Sequence, residues 1–200
     1  MLNKLLITVA ILGAAASVAG LGTYATFTSS APVNQAAIAT GTVAISIGAA
    51  GPTNRLTIGA TGLLPGDTIQ RAVDLVNSGN SNLASVTLTT SLLSASSVLD
   101  SDATNGLQMV IDSCSVAWTE SGGPTNYTYA CSGSTQTVLA STRVLGSNLA
   151  LANLGSLTAG VTDHLHVTLT LPASADNTFQ GKTSTFSYTF NATQRTPAAK

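Results

Sequence analysis

The chain has 200 residues, enough for one domain with a sizeable core, and only 8% of them are Asp, Glu, Lys or Arg. Ordinary soluble domains carry about 25% charged residues, so Ser, Thr, Asn and Gly must form most of this polar surface. The formal net charge is −1 and no Lys/Arg cluster occurs, which argues against a nucleic-acid partner. Little charge repels one copy from another, so the composition permits self-assembly, with a secreted monomer as the alternative.

The first 25 residues have the pattern of an export signal. A start with one Lys is followed by residues 5–22, which are apolar or small and carry no charge. Thr23-Tyr24-Ala25 then fits a small-x-small cleavage site loosely, so we predict a signal peptide over residues 1–25, cut between Ala25 and Thr26. An uncleaved membrane anchor is the alternative, although the apolar segment is at the short end for a spanning helix. A type IV pilin leader is rejected because no acidic residue precedes Asp67.

From residue 41 onward, short alternating segments are separated by turn residues. In residues 163–171 the apolar side chains occupy every second position, which is typical of a half-buried strand. Many such strands with turn signals between them predict an all-β sandwich over residues 41–194, followed by a disordered tail at 195–200. Residues 94–106 could carry a helical turn, and residues 148–160 are expected to be a connection. The predicted strands cover residues 41–48, 55–58, 68–76, 84–92, 107–118, 127–131, 135–140, 163–171 and 183–193.

The two cysteines, Cys114 and Cys131, are predicted to form a disulfide. They flank a turn-rich segment, so residues 107–118 and 127–131 should form one hairpin with a cysteine on each arm. An exported chain meets an oxidising environment in which such pairs persist. Two cysteines are too few for a structural zinc site. The aromatic residues Trp118, Tyr127 and Tyr129 either form an exposed patch or pack across the hairpin.

A catalytic constellation is not apparent, and we expect no catalytic residue, no cofactor and no small-molecule substrate. The only histidines, His164 and His166, point the same way from one predicted strand and could share a metal, with Asp163 as a third ligand only if the strand bends. The alternative is that both histidines lie on the solvent face. The chain has no H-E-x-x-H motif, and its single glutamate, Glu120, falls in the turn-rich segment.

Asp100-Ser101-Asp102 resembles the start of a calcium-binding loop. However, Asn105 stands where such a loop needs Gly, and Ile111 where it needs Glu. We therefore interpret this segment as an acidic loop, with a loose surface site as the alternative.

Three separated stretches together resemble the camelysin/TasA family of exported bacterial proteins. None of the three is specific alone, but their order and spacing span the whole chain. They are GTYATF at residues 22–27 with ATGTV at 39–43, LLPGD at 63–67 with VNSG at 76–79, and NTFQG at 177–181 with the closing strand over 186–194.

The resemblance implies a jelly-roll-like antiparallel β-sandwich that is exported, released by a dedicated signal peptidase and polymerised into extracellular biofilm matrix fibres. In the fibre-forming members the freed N-terminal segment adds as a strand to the next subunit. Here that donor would be residues 26–40, with Phe27, Val33 and Ile38 as apolar anchors; a flexible N-terminus is the alternative. The partners would be other copies of the chain, joined head to tail. The family also has a metalloendopeptidase description, and a monomeric surface adhesin is a third hypothesis.

Overall fold

The computed structural model describes residues 28–32, 44–48, 51–52, 54, 56, 58–123 and 126–196. These residues form an antiparallel all-β sandwich, as predicted, with two five-stranded sheets and a separate two-stranded ribbon. The strands are β1 (Thr28–Pro32), β2 (Ile45–Ile47), β3 (Ile58–Thr61), β4 (Thr68–Asn77), β5 (Leu83–Leu92), β6 (Gln108–Cys114), β7 (Thr119–Ser121), β8 (Thr128–Ala130), β9 (Thr135–Arg143), β10 (Gly146–Ala150), β11 (Thr162–Thr170) and β12 (Thr183–Gln194).

The first sheet has the order β1-β12-β5-β10, and β3 also pairs with β12. The second sheet has the order β2-β4-β11-β6-β9. The chain crosses from the second sheet to the first between β9 and β10, where the buried Thr90 hydroxyl donates to the Val144 carbonyl at 2.6 Å and accepts from Gly146 N–H at 2.8 Å. Within the described residues, no helix is both long and apolar enough to cross a membrane.

The core lies between the two sheets and is filled by every second side chain of their central strands. From β11, Leu165, Val167 and Leu169 face inward, and Tyr188 and Phe190 of β12 are equally buried. Burying one such side chain is worth roughly 1.5–3 kcal/mol. The alternating apolar side chains that predicted these strands therefore also hold the two sheets together.

Two elements that lie outside the predicted strands differ in how well they were predicted. The helical turn expected within residues 94–106 is present as α1 (Val98–Ser101), capped by Ser97. By contrast, β10 falls largely in the stretch expected to be a connection. It is mostly exposed, its register with β5 shifts between Gly146 and Leu149, and Asn148 has a φ of 53°. Such a bulged edge strand lacks the regular alternation that identifies a strand in the sequence.

Candidate functional site

Two short strands cover most of one long edge of β12. Thr28–Pro32 (β1) pairs antiparallel with β12, from Thr28 opposite Thr193 to Pro32 opposite Thr189. The other half of the edge pairs with β3, from Thr183 opposite Thr61 to Phe186 opposite Ile58. Part of the predicted donor segment therefore lies on the sheet of its own chain.

The remaining predictions for the N-terminal segment lie outside the described residues. These are the cleavage site at Ala25 and Thr26 and the apolar anchors Phe27, Val33 and Ile38.

The cysteine segment folds differently from the predicted single hairpin. Strand β6 ends at Cys114, and the chain then turns back as a separate ribbon, β7–β8, over the outer face of the second sheet. The predicted disulfide is confirmed: Cys114 and Cys131 are bonded, with their Cα atoms 5.8 Å apart. The bond therefore ties the ribbon to the sheet instead of joining two arms of one continuous hairpin.

The ribbon covers His166, so the alternative that both histidines lie on the solvent face is wrong for this one. The His166 ring centroid is 4.6 Å from that of Trp118 and 5.4 Å from that of Tyr129, and the residue is only 8% exposed. Its Nε2 has no hydrogen-bond partner among the described residues. Burial lowers the pKa of His166 below its ordinary value, against the opposing effect of the Asp112 carboxylate.

Trp118 and Tyr129 of the ribbon thus pack onto the sheet and belong to one cluster with both cysteines, so these two side chains do not form an exposed patch. Tyr129 also uses its hydroxyl, which donates to the Glu120 carboxylate at 2.6 Å. Burial raises the pKa of the Tyr129 phenol far above its ordinary value, and Glu120 adds to that shift. The single glutamate of the chain therefore has a structural partner in the ribbon.

His164 lies near the rim of the ribbon and is paired with a carboxylate. Its Nδ1 is 2.6 Å from Asp74 Oδ1 on the neighbouring strand β4. The side chains of His164 and Asp74 are 25% and 21% exposed, so the pair is accessible to solvent. The backbone carbonyl of His164 accepts the indole N–H of Trp118 at 2.9 Å, which fixes the ribbon to β11.

Asp163, the third possible metal ligand, is not brought together with the histidines. Its carboxylate accepts the backbone N–H groups of Gly155 at 2.9 Å and Ser156 at 2.8 Å, so it caps a 3-10 turn (Gly155–Leu157). Adjacent residues on a strand face opposite sides of the sheet, which explains the separation from His164. In the described part of the chain, no three His, Cys, Asp or Glu side chains are grouped so that they could hold a metal ion.

The calcium-like segment is built into a helix cap. Asp100 is 4% exposed and accepts from Ser96 Oγ, the Ser97 N–H and Ser184 Oγ at 2.6–2.8 Å. Burial acts to raise the pKa of Asp100, but these hydrogen bonds outweigh it and the pKa is lowered. The Asp102 carboxylate accepts the N–H groups of Thr104 and Asn105, both at 2.9 Å. Both carboxylates are thus engaged by the chain's own donors.

A half-open cleft of about 660 Å³ lies between the start of β4 and the tip of the ribbon. Arg71 lines it, with its guanidinium carbon 5.2 Å from the ring centroid of Tyr127 and one N–H donated to the Gln70 carbonyl at 2.7 Å. Arg71 lies beyond the part of β4 that pairs with β2.

Taken together, the fold and the β12 edge define an all-β sandwich whose first and last described strands pair at one edge. The family model described as camelysin metallo-endopeptidase matches residues 1–199, so the chain belongs to that family, and the resemblance drawn from the sequence is confirmed. A search of curated proteins found no match to the chain.

Proposed function

We propose that this chain is an exported structural subunit that polymerises into extracellular matrix fibres by strand addition. A signal peptidase would cut between Ala25 and Thr26, and residues 26–40 of one copy would then pair with the β12 edge of the next. The protein would act at the cell surface or in the matrix, and its main partner would be another copy of itself.

The pairing of β1 with β12 is the observation that carries this proposal. It supports both halves of the mechanism, because residues 28–32 form a strand and β12 accepts that strand in a defined antiparallel register. In a single copy the strand fills its own edge. Exchange of the same strand between copies would keep the same five pairs and convert a closed monomer into an open head-to-tail chain.

The chemistry of the edge is suited to such an exchange. Main-chain hydrogen bonds in a sheet are worth about 0.5–1.5 kcal/mol each, and they form equally well within one chain or between two. The register partners of β1 on β12, residues 189–193, carry no charged side chain. Docking a second copy there would meet no like-charge repulsion from these positions.

A cysteine pair placed at register partners tests this proposal. We would introduce Thr28→Cys with Thr193→Cys into the mature chain, keep the native disulfide and oxidise the protein before or after assembly. Oxidation of the monomer should link the two residues within one chain and suppress fibres. Oxidation of preformed fibres should instead give a ladder of linked subunits on a non-reducing gel.

The matched control is Thr28→Cys with Thr189→Cys, which are four positions out of register. This pair should assemble normally and give no ladder. Deleting residues 26–40 should leave a folded monomer that makes no fibres in electron micrographs. Fibres from the deletion variant, or fibres from the in-register pair that give no ladder, would show that assembly uses another surface.

A second candidate function is metalloendopeptidase activity, which the description of the matched family favours. His164 and His166 would be its ligands, although the ribbon covers one of them and Asp163 points elsewhere. The mature protein should then bind zinc and cleave casein, and His164→Ala with His166→Ala should abolish both. Zinc binding or cleavage that survives in the double variant would exclude these two residues as the site.

A further inference from the structure

The cleft at the start of β4 has three walls from different parts of the chain. One wall is the end of β3 with the loop after it, the second is the first four residues of β4, and the third is the ribbon tip at residues 126–128. The volume of about 660 Å³ is within the range of roughly 300–1,000 Å³ that is usual for ligand sites. The cleft is therefore large enough for an organic ligand and much larger than a simple ion needs.

Arg71 brings a positive charge to this cleft that the described chain does not neutralise. Among the described residues, its guanidinium has no carboxylate within ion-pair distance, since the one ion pair found there joins His164 and Asp74. One N–H is donated to the Gln70 carbonyl, and the guanidinium carbon lies 5.2 Å from the Tyr127 ring centroid. An arginine carries five N–H donors in a planar fork, so donors remain for the carboxylate of a ligand.

The walls and the guanidinium are held in place before a ligand binds. Tyr127 and the Gln70 carbonyl restrict the guanidinium. The ribbon tip is fixed to β4 by the Tyr129 N–H, which donates to Gln70 Oε1 at 3.3 Å, and the native disulfide ties the same ribbon to the sheet. A binding group that is ordered in advance loses less conformational entropy when the ligand arrives. The cleft therefore has the construction of a preformed site.

Most other polar side chains of the cleft are neutral. They are the hydroxyl and amide groups of Thr61, Thr68, Gln70, Asn126 and Thr128. Hydroxyls and amides both donate and accept hydrogen bonds, so they are suited to a ligand that carries many hydroxyl groups. Leu63 and Ile69 add apolar surface between them, against which the carbon skeleton of such a ligand can pack.

Asp67 limits the negative charge that a ligand can bring. Its carboxylate also lines the cleft, and Oδ2 accepts the Leu64 N–H at 2.8 Å. A ligand with several negative charges would be repelled by this group, whereas a carboxylate oxygen readily accepts a hydrogen bond from a hydroxyl. One cation, one anion and many neutral donors and acceptors therefore favour a ligand that has single carboxylates spaced among hydroxyls.

We propose that this cleft binds an acidic saccharide, with the carboxylate of a uronic acid residue on Arg71 and its hydroxyls on the neutral groups around it. The cleft is half open, so neighbouring sugars of a longer chain extend into solvent. This binding goes beyond self-assembly and does not use the β12 edge. A peptide strand is less suited, because it would need the main chain of β4, where the Gln70 carbonyl is already engaged by Arg71.

Calorimetric titration of the mature chain with a trimer of galacturonic acid tests this assignment. The comparison ligands are the neutral trimer of galactose, a trimer of glutamic acid and inorganic phosphate. The uronic acid trimer should bind on the order of tenfold more tightly than each of them, since a charge-assisted pair needs the carboxylate and the remaining contacts need the hydroxyls. Equal or tighter binding of any comparison ligand would overturn the chemical class. A uronic acid trimer that does not bind would overturn the site itself.

Substitutions of arginine show whether the carboxylate is bound by Arg71. Arg71→Gln should weaken binding of the uronic acid trimer roughly tenfold to a hundredfold, because it removes the charged donor. Arg71→Lys keeps the charge without the planar fork, so its affinity should be intermediate. The matched control is Arg143→Gln, which removes an equal charge from an exposed position of β9 outside the cleft. Unchanged binding in Arg71→Gln, or an equal loss in Arg143→Gln, would refute a specific role of Arg71.

A variant that blocks the cleft and leaves Arg71 in place covers the case in which Arg71→Gln does not fold. Thr128 is exposed and lines the cleft, so Thr128→Trp should narrow it and weaken binding about tenfold or more. The control is Thr119→Trp, on the other arm of the same ribbon, where the side chain is also exposed but lies outside the cleft. This control should bind like the wild-type protein. Unchanged binding in Thr128→Trp would show that the saccharide binds elsewhere.

Discussion

The hydroxyl of Tyr188 is buried at the centre of the sandwich without a hydrogen-bond partner among the described residues. The residue is 0% exposed, and burial raises the pKa of its phenol far above the ordinary value. An unsatisfied buried polar group costs about 1–3 kcal/mol, whereas the gap left by removing one oxygen costs only about 0.3 kcal/mol. Tyr188→Phe should therefore stabilise the fold by about 1–2 kcal/mol.

Urea and thermal unfolding of the mature chain with its disulfide intact would measure this effect. For a domain of this size the expected gain corresponds to a rise in Tm of roughly 2–8 °C. The matched control is the reverse change, Phe190→Tyr, at a residue of the same buried face that is also 0% exposed. Its new hydroxyl would be buried, so it should destabilise the fold by about 1–3 kcal/mol. A loss of stability in Tyr188→Phe would mean that the hydroxyl is satisfied, and the positive charge of Arg71 does act on this phenol.

Three further predictions concern the ribbon, its histidine and the helix cap. Replacing Cys114 and Cys131 together by Ser should lower the free energy of unfolding by up to about 3 kcal/mol in denaturant titrations, since the bond closes a loop with a sequence separation of 17. Because the pKa of His166 is lowered in the folded protein, the unfolded chain binds the proton more readily, and stability present above about pH 6.5 should be lost as the pH falls. In His166→Phe, the free energy of unfolding should depend less on pH between pH 7 and about pH 5. Asp100→Ala should cost about 1.5–3 kcal/mol in the same denaturant assay, whereas Ser184→Ala, which removes one of its donors, should cost less.

The sequence predicted the two-sheet core well because period-two alternation reports directly which side of a strand is buried. In β12 the apolar residues Phe186, Tyr188, Phe190 and Ala192 stand at alternate positions of the sequence, a pattern that predicts one buried face, and all four are buried. The disulfide could also be predicted, since two cysteines around a turn-rich segment meet through local chain reversal. In each case the information lies within a few residues of the feature.

The burial of His166 could not be predicted in this way. Its strand alternates like a half-exposed one, and the ribbon that covers its outer face comes from residues about 40 positions earlier in the chain, at Trp118 and Tyr129. The available signal of a covering element was the large indole of Trp118, shortly after Cys114. The pairing of Asp74 with His164 depends likewise on the register of two distant strands.

The pairing of β1 with its own β12 also has a consequence for the concentration at which copies can exchange strands. Along the sequence, β1 ends at Pro32 and β2 begins at Ile45, so β1 is joined covalently to the sandwich within one chain. A partner held on a short linker acts at an effective concentration in the millimolar range. A strand from another copy can displace β1 only when the concentration of copies approaches this effective concentration, so dilute subunits should stay closed. If the proposed strand exchange takes place, polymerisation should therefore begin where the chains are concentrated, or where a growing end already presents an open edge.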